Sequence, residues 1–219
     1  MNFPKFILFD FDGTIADTLN EIFEIYNLLA PEFGLTQLKK EDISKIRSQG
    51  YKNFLKNFPL SKIKTSLLLL RGRKELNKRI GKIKPFKGIK PVLRKLKNQG
   101  FILGILSSNS LENIEFFLTK NNLRELFDFI HSQINLFGKE RAILNFLNKH
   151  QIAKKDIVYV GDEIRDIEAA KKVGIPVIAV SWGFNEKETL LSLKPRAIAE
   201  NPQQLLECVF KIFKNNATS

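Results

Sequence analysis

Two aspartates, Asp10 and Asp12, stand two residues apart at the end of the apolar run Lys5-Phe-Ile-Leu-Phe-Asp10. In extended backbone, residues two apart face the same way, so the two carboxylates are expected to project together. Like charges this close are costly unless a cation or a proton relieves them. A hard divalent ion such as Mg²⁺ suits carboxylate oxygens and commonly brings a phosphate ligand with it. Gly13 lets the chain turn abruptly behind the pair, and Thr14 can donate a hydrogen bond. A second acidic pair, Asp162 and Asp166, lies in Gly161-Asp-Glu-Ile-Arg-Asp166. Four residues apart, these two share one face of a helix. If they follow another strand of the same sheet, they can meet Asp10 and Asp12 at one metal.

Two further positions suit an anion. Ser107 follows the apolar run Phe101–Leu106, and its hydroxyl and the amides near Ser108 and Asn109 are placed to hold an anion at a helix start. Lys139 opens a helical pattern, where a lysine opposes the helix dipole and calls for a phosphate or carboxylate partner.

The elements that must position these groups are legible as apolar runs between helical patterns. Strands are expected at Lys5–Asp10, Phe101–Leu106, Leu126–Ile130, Asp156–Val160, Pro176–Val180 and Arg196–Ala199. Helices are expected at Lys90–Gln99, Leu111–Asn121, Lys139–His150, Ile164–Val173 and Pro202–Lys214. Strand–helix alternation with continuous apolar strands predicts an α/β fold, a doubly wound parallel sheet covered on both faces. Ligands bind such sheets at the carboxyl ends of the strands. The stretch from about Asp17 to Ile83 breaks this rhythm with helical patterns only, and Pro85-Phe-Lys-Gly88 closes it. This predicts a core of residues 1–14 and 85–219, with a small all-helical domain, 15–84, inserted after the first strand. Leu67–Leu70 is expected to face its core. Arg47, Gln49 and Gly50 are expected in a loop of the insert that reaches the substrate. Trp182 and Phe184 are expected to pack, Asp17 to fix the loop into the insert, and His131 and His150 to be structural, without a partner pattern.

Composition narrows the function classes. With 43% apolar and 27% charged residues, the chain of 219 residues reads as a globular protein. Cys208 is the single cysteine, which excludes an intramolecular disulfide and a cysteine-based metal cluster. The apolar runs fall far short of the ~20 residues of a membrane helix, so no membrane span is expected. The N-terminal Met-Asn-Phe-Pro-Lys has no basic region leading into an apolar one, and a cytoplasmic location is expected. The net charge is +13, and residues 35–90 alone hold 17 basic and three acidic side chains. A surface this basic attracts anions, whether phosphorylated metabolites or nucleic acid, so a nucleic-acid partner stays open. Oligomeric state is not legible.

Asp10-Phe-Asp-Gly-Thr-Ile-Ala-Asp-Thr18, Ser107, Lys139 and Asp162–Asp166, in that order after successive strands, resemble the four motifs of the haloacid dehalogenase superfamily. The runs Val160–Ala170 and Val180-Ser-Trp-Gly183 are most similar to its phosphoglycolate phosphatase-like branch, and the helical insert resembles that branch's cap. The third motif departs from the frequent Lys-Pro by reading Lys139-Glu140, and the second has Ser107 where Thr is common. The resemblance implies a Mg²⁺-dependent phosphatase acting on a small phosphorylated metabolite. It implies Asp10 as nucleophile and Asp12 as general acid and base. Ser107, Ser108, Asn109 and Lys139 would bind phosphate. Mg²⁺ would be held by Asp10, the Asp12 backbone carbonyl and Asp162, with Asp166 in support. Dehalogenases of this fold lack an acid at the Asp12 position, since a halide needs no proton. A phosphosugar mutase shares the same core and stays open. So does a protein that uses a basic cap to hold nucleic acid, or to act on a phosphoprotein or a nucleic-acid end.

Overall fold

Short apolar segments of the chain pair into one parallel sheet. In the computed structural model, which describes residues 4–49, 60–132 and 138–215, they are β1 (Phe6–Phe9), β2 (Ile102–Ser107), β3 (Phe129–Ser132), β4 (Ile157–Gly161), β5 (Val177–Val180) and β6 (Ala197–Ala199). Their spatial order is β3-β2-β1-β4-β5-β6, and every pairing is parallel. The helices are α1 (Leu19–Leu29), α2 (Lys40–Gln49), α3 (Lys62–Arg79), α4 (Ile89–Asn98), α5 (Leu111–Lys120), α6 (Lys139–His150), α7 (Ile164–Val173), α8 (Lys187–Ser192) and α9 (Pro202–Asn215).

Parallel strands need crossover connections, which put helices on both faces and leave the strands dry. Alternate residues of β1 serve opposite layers. Ile7 and Phe9 pack with α4, α5 and α9, while Leu8 packs with α6 and α7. All three are 0% exposed, and each such side chain contributes about 1.5–3 kcal/mol by leaving water. Helix α4 shows how the sequence dictates its packing. Ile89, Val92, Leu93 and Leu96 recur at helical spacing and are the buried residues of that helix. Helix α7 stops where Gly174 takes a left-handed φ of 79°.

Between β1 and β2 the chain makes an excursion through α1, α2 and α3. Its entry and exit are tied together. Ala16 and Pro85 form an antiparallel bridge, the Asp17 amide donates to the Lys84 carbonyl at 3.0 Å, and the Phe86 amide donates to the Ile15 carbonyl at 3.0 Å. The backbone of Asp17 thus fixes the way into the helices, while its side chain is exposed. No helix among the described residues is long and apolar enough to cross a membrane.

Several expectations need correction. β3 begins at Phe129, about three residues later than the apolar run suggests, because Arg124–Leu126 forms a 3₁₀ turn. Leu126 and Phe127 are buried under the sheet instead, with Phe127 edge-on to Phe9. Pairing with β2 starts at Asp128, whose amide donates to the Leu103 carbonyl. Arg47 and Gln49 lie in the last turn of α2, not in a loop. Gly50 lies outside the described residues. Of Leu67–Leu70, Leu68 is buried, whereas Leu67 and Leu70 are half exposed. Four consecutive leucines span the whole circumference of a helix, so they cannot all face a core. The short helix α8 had no periodic signal strong enough to announce it. His131 and His150 are partners after all, their Nε2 atoms 3.3 Å apart.

Candidate active site

The sheet order turns back on itself at β1, which has β2 on one side and β4 on the other. That junction is the switch point where a doubly wound sheet opens a crevice. Asp10 leaves β1 there, with its amide donating to the Val160 carbonyl of β4 at 2.8 Å. Asp162 leaves β4 immediately beside it, and Ser107 ends β2. The three segments carrying the sequence motifs therefore converge because their strands are neighbours.

The charges at this point are almost wholly out of water. Asp10 is 2% exposed, and Asp162 and Asp166 are 0% exposed. One oxygen from each of these three carboxylates lies within 4.8 Å of the others. Lys139, at the start of α6, reaches into the group. Its Nζ donates to Asp10 Oδ2 at 2.6 Å and also pairs with Asp166 Oδ1. Burial opposes the Lys139 ammonium, but Asp10 and Asp166 outweigh it and hold its pKa well above the usual range. Asp166 also accepts from the Glu163 amide at 3.0 Å through Oδ2, closing the first turn of α7. Burial raises its carboxyl and Lys139 lowers it, leaving a pKa of about 6.

Asp162 is gripped from two sides. Thr14 donates its hydroxyl to Oδ1 at 2.7 Å, and the Phe184 amide donates to Oδ2 at 2.7 Å. Burial, followed by the charges of Glu163, Asp166 and Asp10, pushes the Asp162 pKa well above the ordinary carboxylate range. The fit leaves no room for side chains nearby. A Cβ on Gly13, which has a φ of 76°, would collide with the Asp162 carboxylate, and so would one on Gly183. Trp182 packs near this turn and donates Nε1 to the Thr14 carbonyl at 3.1 Å.

Asp12 is held differently. Asn109 Nδ2 donates to its two oxygens at 3.2 and 3.1 Å. Asn109 is itself fixed, since its Oδ1 accepts from the Ser110 amide and from Asn113 Nδ2, both at 2.8 Å. Its amide donates to Ser107 Oγ at 3.0 Å. Burial, then the neighbouring Asp10 charge, raises the Asp12 pKa to about 7. The Asn109 hydrogen bond, Arg165 and the nearby Thr18 hydroxyl act in the opposite sense, although Thr18 makes no hydrogen bond of full geometry.

A cavity of about 160 Å³ lies between this crevice and helices α1 and α3. Asp12, Ser108, Asn109, Glu163, Arg165 and Phe184 line it from the sheet side. Apolar residues of α1 and α3, together with Tyr26 and Arg73, line the other. Asp10, Ser107 and Lys139 sit deeper, outside that lining. Arg47 and Gln49 are not among the lining residues. Arg47 instead donates to the Ser181 carbonyl at 3.0 Å, and its own carbonyl accepts from Asn185 Nδ2 at 2.8 Å. It ties α2 to the segment after β5.

Sequence reading passed over Arg165, Glu163 and the cavity-facing residues of α1 and α3. For Arg165 a signal existed, because a cation in the first turn of a helix opposes the dipole just as Lys139 does. For the wall residues there was none, since isoleucines and leucines facing a cavity read like those facing a core.

A family model described as haloacid dehalogenase-like hydrolase matches residues 7–180. The chain is 35% identical over 208 residues to a phosphoglycolate phosphatase of Synechococcus elongatus, covering 95% of this chain and 98% of that one. It is 21% identical to the pyrophosphatase PpaX of Bacillus mycoides, covering 94% and 97%. Among solved structures, a haloacid dehalogenase-like hydrolase from Streptococcus pneumoniae superposes with a TM-score of 0.80 at 25% identity, covering 93% and 97%. A predicted phosphatase from Clostridium acetobutylicum shares the fold with a TM-score of 0.84 at 23% identity, covering 96% and 100%.

Proposed function

Because the chain belongs to the haloacid dehalogenase-like hydrolases and is a hydrolase of phosphate monoesters, we propose that it is a Mg²⁺-dependent phosphatase working through an aspartyl-phosphate on Asp10. Phosphoglycolate, the substrate in the names of several relatives, is the first ester to test.

One observation carries this reading. Two carboxylates two residues apart have been given different environments. Asp10 is bound to the buried Lys139 ammonium. Asp12 is held by Asn109, faces the cavity and has a pKa near 7. A carboxyl that keeps its proton near neutrality can protonate a leaving oxygen. A carboxylate beside it can attack phosphorus.

In the first step an Asp10 oxygen forms a bond to phosphorus, and the ester P–O bond breaks. Asp12 delivers its proton to the departing alkoxide. In the second step Asp12 takes a proton from water, which attacks the aspartyl-phosphate and releases phosphate and free Asp10. Ser107, with the amides near Ser108 and Asn109, holds the non-bridging oxygens. Lys139 balances the acids and positions Asp10. Asp10, Asp162 and Asp166 would hold Mg²⁺, with the Asp12 backbone carbonyl as a further ligand. The donor set fits, since it is all oxygen and its buried carboxylates need a cation. When bound, the ion supplies neutralisation of charge on the phosphoryl oxygens. We assign residues 15–84 as the cap, which closes the crevice and keeps bulk water from the acyl phosphate.

The test is phosphate release from 2-phosphoglycolate and other small esters in Mg²⁺. Asp10→Asn should lower kcat by at least about three orders of magnitude, the scale on which losing a covalent nucleophile acts. Circular dichroism should show the fold retained, since the amide is nearly the size of the acid. An Asp10→Asn protein of near-normal activity would exclude the mechanism.

A further inference from the structure

Arg165 lines the cavity from the first turn of α7. Three costs attach to it there. A cation at a helix start opposes the dipole. Its side chain is only 13% exposed, and a buried guanidinium is expensive unless its charge and donors are met. Among the described residues its one hydrogen-bond partner is Glu163, through a single terminal nitrogen. Its Nε is buried and has no acceptor. A guanidinium offers five N–H donors, so most of its capacity is unspent. An unmet buried donor in a native site asks for an explanation, and a missing ligand is one.

The position says which part of a substrate would supply that ligand. Asp12, the proton donor to the leaving oxygen in the proposed reaction, lines the same cavity, whereas Asp10 and Lys139 lie outside it. The phosphoryl end is therefore the deep end, and Arg165 faces the leaving alcohol. The wall opposite is mostly apolar, built from residues such as Ile25, Leu68 and Leu76, with Tyr26 and Arg73 among them. A planar carboxylate matches the guanidinium fork with two parallel hydrogen bonds.

We propose that Arg165 is the receptor for a carboxylate on the leaving half of the substrate. The site thereby selects phosphate esters of short hydroxy acids over esters of neutral alcohols. The inference rests on the phosphatase reading for the orientation of the ester. Glu163 is a positioning residue, which fixes the guanidinium without quenching the rest of its donors.

The experiment compares 2-phosphoglycolate with ethyl phosphate, which has a methyl group in place of the carboxylate. The wild-type protein should favour the first in kcat/KM by at least about tenfold. Arg165→Gln should reduce that preference about 10- to 100-fold, mostly through KM, as expected for lost charge-assisted hydrogen bonds. Arg165→Lys keeps the charge but loses the fork and should fall between. The double variant Glu163→Gln, Arg165→Met leaves no unpaired acid, so it keeps the test open if the single variant misfolds. Calorimetric binding of both esters to the Asp10→Asn protein reads the same preference without turnover. No wild-type preference in either measurement overturns the assignment. So does an Arg165→Gln variant that loses equally on both esters, which would place the guanidinium on the phosphoryl group. A protein that turns over neither ester yet binds phosphoglycolate selectively through Arg165 would sink the phosphatase reading and keep this one.

Discussion

Around Asp10, acids from two segments and the ammonium of Lys139 are packed almost entirely out of water. In residues 35–90, by contrast, the net charge is +14, and Lys39, Lys40, Lys45, Lys64, Lys74 and Lys82 stand in solvent. The same chemical groups obey different physics in the two places. In the crevice each charge is stabilised by named partners, and removing one strands the others. On the insert each charge is hydrated and screened, so any effect is collective and long-ranged. A count of charges would put the electrostatic weight of this protein on the insert. The structure puts it in the crevice, where the net charge is small.

The sharpest way to break this contrast is to delete one lysine from each region. Lys139→Met should cost about 3–5 kcal/mol of stability, since Asp10 and Asp166 lose their shared cation in a buried site. Lys74→Met should shift the melting temperature by no more than about 1–2 °C. Equal losses in thermal or denaturant unfolding would mean that the crevice pair is not coupled as the geometry indicates.

The metal response should be nearly as large. Asp162→Ala removes a carboxylate that Thr14 and the Phe184 amide hold in place. It should raise the Mg²⁺ concentration needed for half-maximal activity about 10- to 100-fold, and a chelator should stop the wild-type reaction. Full turnover in excess chelator would rule out a metal held by these acids.

A smaller effect follows from proton linkage. Asp12 and Asp166 have folded-state pKa values of about 7 and about 6, above the ordinary 3.8, and Asp162 is raised as well. Between about pH 4 and 7 the folded protein binds more protons at these groups than the unfolded chain does. Their contribution to stability is then present at low pH and lost as pH rises through the folded values. Without divalent ions, the melting temperature should drop by a few degrees over that range on their account. A Mg²⁺ ion held as proposed would need Asp162 and Asp166 deprotonated, so it should stabilise the protein more at pH 8 than at pH 5.5. A larger stabilisation at pH 5.5 would contradict the assignment of these carboxylates to the metal.

The smallest expected effect belongs to the insert. Reversing Lys39, Lys40 and Lys45 together should lower kcat/KM a few-fold at low salt while leaving kcat nearly unchanged, because steering acts on encounter. The loss should fade as the Debye length falls from ~10 Å at 0.1 M salt to ~3 Å at 1 M. No change at low salt would make the insert's basicity a matter of composition alone.

Much of the fold and the heart of the site were legible because they depend on local geometry. A dry parallel strand must be a continuous apolar run, so β1, β2, β4 and β5 were visible as such. Two carboxylates at spacing two after a strand, and two at spacing four on a helix, declare a shared face before any tertiary contact exists. The order of the strands was not legible in this way, and the sheet itself places β1 between β2 and β4.

What the tertiary structure decided was every relation that spans distant segments. Asp12 and its holder Asn109 are 97 residues apart. Arg47 is bound to Ser181, 134 residues away, and this turned an expected substrate loop into a brace between α2 and the sheet. Leu68 became buried and Leu67 half exposed according to the face that α3 turns inward. Spacing along a chain encodes direction within one element. It does not encode the distance or angle between elements, which packing sets. The clustering of the acids could therefore be read in advance, while the cavity and the partly bonded Arg165 on its lining exist only once α1 and α3 face the strand ends.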